Sequence, residues 1–350
     1  MGERSDDSAL PTDARDEALR MMPAAESESA RPCRGQMWTV VRIMICGALL
    51  AYIFQRYDAS SVVGRLLQVQ FRWLVVAGGV AYLGILVSAW RWKRILDSYG
   101  RSHSLLQLWA LYLEGNFLNL FFPGIVAGDV SRAVRTSRKG KASVDAFMAV
   151  FLDRFVGLLV AGLLVGTVAI LGGYKALGPG WRGAILLAII GGLGVLVMLL
   201  HVRWATQVVT VLPRSLSNRV EQVVEKIRNA VETVTSDPRL LAQLVGLSLL
   251  YICAAVGATF FVAQAVHFPV PLSVLLVYVP LVRLFVSLPI SIQGVGIREN
   301  LFVFFLSALG FLPEDIIAFA LSLSALMVLV NLSGGAVLLY RAARPELLKA

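Results

Sequence analysis

The sequence predicts an all-α polytopic membrane protein with about six full spans and two broken, re-entrant helical hairpins of opposite orientation, arranged like an inverted repeat. Three observations carry this. The 350 residues are 57% hydrophobic and only 15% charged, with a mean hydropathy of +0.74. Several apolar runs approach the ~20 residues needed to cross a bilayer, and the short alternating segments of a transmembrane barrel are absent. Two of the apolar runs break on Pro and Gly and end in charge: Glu114 to Arg132 (EGNFLNLFFPGIVAGDVSR) and Leu288 to Glu299 (LPISIQGVGIRE). Lipid tails offer no hydrogen bonds to broken backbone, so such breaks persist only inside protein or beside water. Two of them at matching places in two halves point to a binding or transport site near mid-membrane.

Residues 1–36 are polar and acidic and lack a basic start followed by an apolar run, so they are not a cleaved signal peptide. They read as a disordered cytoplasmic tail. A transmembrane domain follows over 37–341, and 342–350 form a cytoplasmic C-terminus. The first span runs from Met37 to Phe54, with Arg42 near its cytoplasmic end. Ser60 or Ser61 caps a short interfacial helix with Val62, Val63, Leu66 and Leu67 on one face. The second span, Trp73 to Trp90, ends in Arg91, Lys93 and Arg94 beside Trp90 and Trp92, an interface anchor.

A helix over Ser104 to Phe122 then breaks at Pro123-Gly124 and leads to Arg132, Arg135, Arg138, Lys139 and Lys141. Basic clusters thus flank this segment on both sides. Under the positive-inside rule both sides are cytoplasmic, which a hairpin satisfies and a single crossing does not. Ser143 to Leu171 is a long span carrying Asp153 and Arg154, Gly172 to Gly183 an outer loop, and Ala184 to Val202 the return. Over about 214–236 the residues Leu216, Val220, Val223, Ile227, Val231 and Val234 recur at helical spacing opposite Glu221, Glu225, Arg228 and Glu232, as in a surface helix. Asp237-Pro238 caps the next span, to Val266. Leu272 to Leu288 carries Arg283, and the second break follows at Pro289, before a short helix from Asn300 to Leu309. The last span starts at Pro313 and ends at Tyr340, with Arg341, Arg344 and Lys349 beyond it. Both termini then lie inside, with the first hairpin opening to the cytoplasm and the second outward. At ~1.5 Å per residue Leu272 to Leu288 is also long enough to cross, and that alternative stays open.

A charge at the bilayer centre costs on the order of 2.5–3.5 kcal/mol on insertion scales, so the charged residues in these runs need an account. One account is internal pairing: Asp153 with a neighbouring basic group, Asp129 with Arg132, Arg298 with Glu299 or Glu114, and Asp153-Arg154 in particular as a helix-to-helix ion pair. The other is a headgroup site. Gly128, Gly294 and Gly296 present backbone N–H groups and half-helix ends to an anion, and Arg132 and Arg298 suit bidentate phosphate contact. Asp129 and Glu299 set the register or meet an amine, and Glu114 completes the charged set. Pro123 and Pro289 make the breaks.

The formal charge of +10 fits basic loops facing anionic lipid, and no basic, aromatic-interleaved soluble patch suggests nucleic acid. Cys33, Cys46 and Cys253 form no metal spacing, and His103, His201 and His267 are scattered. No Walker A, HExxH or GxSxG pattern occurs. No cofactor, metal or enzymatic activity is expected; a membrane-embedded enzyme or accessory subunit acting on a lipid phosphate is the alternative, and a solute transporter a third class.

The segments NFLNLFFPGIVAGDVSRAVR (Asn116 to Arg135), DRFVGLL (Asp153 to Leu159) and SLPISIQGVGIRENLF (Ser287 to Phe302) resemble the transmembrane family of lysylphosphatidylglycerol synthases, the flippase part of the multiple peptide resistance factor. The resemblance implies a bundle with oppositely oriented re-entrant segments. It also implies movement of an aminoacylated or otherwise charged phospholipid between the leaflets of the cell's inner (plasma) membrane. Some relatives accompany polyprenyl-phosphate sugar transfer. Membrane phospholipids are the implied partners, with a lipid-modifying enzyme and self-association compatible with them. The two-part relatives continue into a soluble aminoacyltransferase domain, whereas this sequence ends at Ala350, so synthesis of lysyl-lipid is not expected.

Overall fold

A computed structural model of the protein describes residues 33–121, 126–137, 144–170, 225, 228–287 and 293–343. Among these residues the regular structure is helical. The helices are α1 (Cys33–Arg56), α2 (Ala59–Leu66), α3 (Phe71–Ser98), α4 (Leu105–Phe121), α5 (Val126–Arg135), α6 (Val144–Ile170), α7 (Pro238–Ala265), α8 (Leu272–Val286), α9 (Ile297–Ser307) and α10 (Pro313–Ala342). Residues 228–235 are helical as well. The chain divides into a short unit, Met1–Val41, of which only the opening turns of α1 are described, and a unit from Arg42 onward.

Among the described residues, four helices are long and apolar enough to cross a membrane: Phe71–Ser98, Val144–Val168, Pro238–Ala265 and Pro313–Ala342. Met44–Arg56 and Leu272–Val286 are apolar but shorter. The expected return span at 184–202, the outer loop, the tail up to residue 32, most of the 214–236 helix, both helix-breaking prolines and 344–350 lie outside the described residues.

Local sequence explains most helix starts. Pro238 opens α7, and Asp237 accepts from the Arg239 N–H at 2.9 Å, as the cap pattern predicts. The cap of α2 differs from expectation. Asp58, not Ser60 or Ser61, holds the N-cap and accepts from both serine amides, at 3.1 and 3.3 Å. A carboxylate can accept from several donors at once, and the two serine hydroxyls add to the same group at 2.7 to 2.9 Å. The Ser61 and Ser60 donors hold the Asp58 carboxyl down at about 2. The cap is therefore fully formed above the ordinary carboxylate range and is lost only as pH falls toward about 2.

A second correction concerns α3. It runs on past Trp90 to Ser98, and Arg91 and Trp92 are buried, at 4% and 0% exposure, rather than anchoring an interface. A helix places neighbouring residues on different faces, so Trp90 stays exposed while Arg91 and Trp92 turn inward. The short helix after the second break also begins earlier than expected, at Ile297.

α3 packs along α7, and α10 packs along α4. Gly334 and Gly335 on α10 lie directly under the Leu113 carbonyl and the Phe117 ring. A cluster of rings, Phe302 with Phe319 and Phe268 with Phe319 at 5.3 Å between centroids, closes α9 and α10 against the α7–α8 linker.

Two helix pairs fold back on themselves. In the first, α4 and α5 run antiparallel, with Gly115 backed against Gly128 so closely that a Cβ on Gly128 would overlap the Gly115 carbonyl. The Gly128 N–H donates to Asn119 Oδ1 at 2.9 Å, which satisfies a donor at the start of α5. Gly128→Val is therefore expected to overpack this crossing and lower stability by about 1–3 kcal/mol. Thermal unfolding of the purified protein checks this, and an unchanged midpoint contradicts it. In the second pair, α8 and α9 are joined through Gln293, Gly294 and Gly296 with φ of 53°, 80° and 83°. Only glycine takes such angles without strain, and Gly294 also lies beneath the Val286 side chain. Tyr278 and Phe305 meet across this pair at 5.0 Å.

Candidate functional site

The two folded-back pairs face a shared internal cavity of about 330 Å³, walled by α3, α4, α6, α7, α8, α9 and α10. Tyr112, Asn116 and Asn119 enter from α4, and Arg283, Ser287, Gln293 and Arg298 from the second pair. Gln293 ties the pairs together: its Nε2 donates to the Asn116 carbonyl at 3.3 Å, and its Oε1 accepts from Asn331 Nδ2 of α10 at 3.2 Å.

Four arginines line this cavity: Arg91, Arg154, Arg283 and Arg298. No carboxylate does among the described residues. Two of the arginines are matched from behind the wall. Arg91 Nε donates to Asp153 Oδ1 at 2.8 Å, and Nη1 donates to Ser248 Oγ at 3.0 Å. Gly157, one turn after Asp153, leaves the room that this guanidinium fills. Asp153 is fully buried and also accepts from the Tyr112 hydroxyl at 2.7 Å. Arg154 ion-pairs with Asp129, its Nη2 donating to Oδ1 at 3.1 Å. Between the two aspartates sits Arg132. It pairs with Asp129, reaches Asp153 at 3.6 Å, and lies over the rings of Tyr112 at 4.1 Å and Trp92 at 5.2 Å.

The other two arginines ion-pair with no carboxylate among the described residues. Arg298 donates to Ser324 Oγ at 2.8 Å and to the Gln293 carbonyl at 3.0 Å. The Ser324 hydroxyl in turn donates to Glu299 Oε1. Arg283 hydrogen-bonds no described residue, and its guanidinium lies 4.3 Å from the centre of the Tyr251 ring. Its neighbours Val279 to Val282 are buried while Arg283 itself is exposed, and the surface it shows lines the cavity. Across the whole cluster, the guanidiniums of Arg91, Arg132, Arg154, Arg283 and Arg298 outnumber the carboxylates of Asp129, Asp153 and Glu299 by two.

The residues singled out from sequence fall into several different places. Arg298 faces the cavity, and so does Arg154. Asp129, Arg132 and Asp153 stand behind the wall and hold the lining arginines. Gly128, Gly294 and Gly296 shape the turns. Glu299 turns away from the cavity. It is fully buried and accepts from the Gly296 N–H at 2.6 Å, so that amide is already taken at the start of α9. Glu114 lies in a separate cluster, fully buried, with Arg135 at 2.8 Å and Arg341 at 3.6 Å, and joins α4, α5 and α10. Asp153 and Arg154 do not pair with each other. Adjacent helix positions face different ways, so each reaches a different helix: Asp153 meets Arg91 on α3 and Arg154 meets Asp129 on α5. Pro123 and Pro289 lie outside the described residues.

Sequence reasoning did not assign Arg91, Tyr112, Tyr251, Gln293 or Asn331 to the site. Arg283 carried the clearest signal, a lone arginine in an apolar run with no acid at helical spacing.

Apolar crossing helices around an arginine-lined cavity define a multi-pass helical membrane protein with an interior suited to a charged ligand. The sequence matches the family described as Lysylphosphatidylglycerol synthase TM region over residues 39–335, and the chain belongs to that family. This makes it a membrane protein of lipid metabolism or transport. A comparison with curated proteins gives no match.

Proposed function

We propose that the protein is a lipid flippase, moving an anionic or aminoacylated phospholipid, or a polyprenyl-phosphate-linked lipid, between the leaflets of the cell's inner membrane. No ATPase of its own drives it. The reading includes six full spans, both termini cytoplasmic, and the two folded-back pairs as re-entrant hairpins entering from opposite sides. The observation that carries it is the cavity shared by both pairs, with arginines facing inward where a headgroup crossing the bilayer needs polar partners. An uncompensated charge in the membrane interior is expensive and marks a substrate path more often than a structural need. Arg298 and Arg283 supply the charge of the site, and Asn116 and Asn119 add amide groups. Asp129, Asp153 and Arg132 position Arg91 and Arg154.

The test uses purified protein in vesicles with tail-labelled lipids and a quencher confined to the outer leaflet. Transbilayer movement above that of empty vesicles is expected for at least one anionic or aminoacyl lipid. Movement equal to that of empty vesicles for all of them would end the proposal.

A further inference from the structure

We infer that the cavity selects a lipid whose headgroup ends in a phosphomonoester, against an aminoacylated headgroup. The inference rests on the flippase reading above and narrows its substrate class.

The charge balance comes first. The described cluster carries two positive charges beyond its own carboxylates: one among Arg91, Arg132 and Arg154, which share Asp129 and Asp153, and one among Arg283 and Arg298, which have only Glu299 near them. A phosphomonoester carries about −1.5 to −2 at neutral pH. It matches that excess, whereas a phosphodiester with a single charge covers about half of it.

An ammonium group would meet a less favourable set of partners. An aminoacyl headgroup brings at least one, and an ammonium is held most strongly by a carboxylate or an aromatic face. Asp129 and Asp153 are bound to arginines, and Glu299 is bound to Gly296 and Ser324. The faces of the two lining tyrosines are also taken. Arg132 covers Tyr112 at 4.1 Å, and Arg283 covers Tyr251 at 4.3 Å. An ammonium entering here meets guanidiniums.

The supply of donors also favours phosphate. Ionised phosphate accepts hydrogen bonds and gives few. Arg283 has its full set of N–H donors unspent among the described residues, and Arg298 uses only Nη1 and Nη2 bonds to neutral oxygens. Asn119 spends its Oδ1 on Gly128, so its NH₂ group remains a donor at the cavity wall. Val279, Val282 and Val286 line the same space and offer an apolar surface to the start of the lipid tail.

The experiment reconstitutes the full-length protein in vesicles. Tail-labelled phosphatidate, phosphatidylglycerol and lysylphosphatidylglycerol are followed separately with an outer-leaflet quencher. Phosphatidate is expected to move about tenfold or more faster than the lysyl lipid, the gain from one or two charge-assisted hydrogen bonds. Arg283→Gln is expected to remove most of that preference while its thermal unfolding stays near that of the wild type, because Arg283 pairs with no acid among the described residues. Equal rates for the three lipids, or a faster lysyl lipid, above the empty-vesicle rate would overturn the inference and leave the flippase reading standing. A preference for phosphatidate that Arg283→Gln leaves intact would also overturn it. No movement above empty vesicles for any lipid would overturn both. Inorganic phosphate is measured in parallel as radiolabel uptake, and none is expected. Phosphate uptake without phosphatidate movement would identify the free anion as the ligand and overturn both.

Discussion

Asp153→Asn is expected to cost about 3–5 kcal/mol of stability, the typical loss when one partner of a buried ion pair is removed. Asp153 is fully buried and receives Arg91, Tyr112 and, at 3.6 Å, Arg132. The amide keeps the shape but drops the charge, so Arg91 loses its nearest counter-charge and Arg132 its more distant one in a medium of low dielectric. The variant is checked by thermal or denaturant unfolding of the purified protein. A second variant separates charge from packing. Arg91→Met in the Asp153→Asn background removes the stranded cation and should recover a substantial part of the loss, since replacing both members of a buried pair is often near neutral. An Asp153→Asn protein as stable as the wild type, or a double variant no better than the single one, contradicts this account of the network.

Arg298→Ala is expected to reduce lipid movement to the rate of empty vesicles while the protein inserts and folds. The reason lies in how α9 is held. Glu299 caps Gly296 and accepts from Ser324, and neither bond uses the Arg298 side chain. Removing Arg298 releases Ser324 as an acceptor and the Gln293 carbonyl, two neutral groups beside a polar cavity. The site meanwhile loses one of the two lining guanidiniums that ion-pair with no described carboxylate. A hydrogen bond to a charged group contributes about 1.5–3 kcal/mol, roughly tenfold to a hundredfold in rate. Arg298→Lys keeps the charge but not the planar fork, so an intermediate rate is expected. The vesicle assay reads both, and normal movement by Arg298→Ala removes this residue from the site.

Much of the fold is written in local patterns. Apolar length marks α3, α6, α7 and α10, and Asp237-Pro238 marks the start of α7. The paired Gly-rich breaks mark where the backbone folds back, since Gly128 and Gly294 sit where a side chain would collide. The site was legible only in part, because a charged residue's role depends on which helix it faces. Arg91 reads as an interface anchor when its neighbours are Lys93 and Arg94, yet the buried Asp153, 62 positions away in sequence, draws it inward. Glu299 reads as a ligand group beside Arg298, yet it closes its own helix start. Glu114 reads as part of the same stretch as Asp129, yet its partners are Arg135 and Arg341, the latter at the far end of the chain. Local spacing gives helix ends and turns; the pairing of charges across helices is a tertiary property.

The central claim is that a lipid headgroup enters the cavity between the two folded-back pairs. It is tested most directly by determining the structure of the protein in nanodiscs that contain phosphatidate. The account expects the phosphate within hydrogen-bonding distance of both Arg283 and Arg298, with the acyl chains leading out between helices. A cavity without a headgroup, with lipid only around the outer face of the bundle, would contradict it.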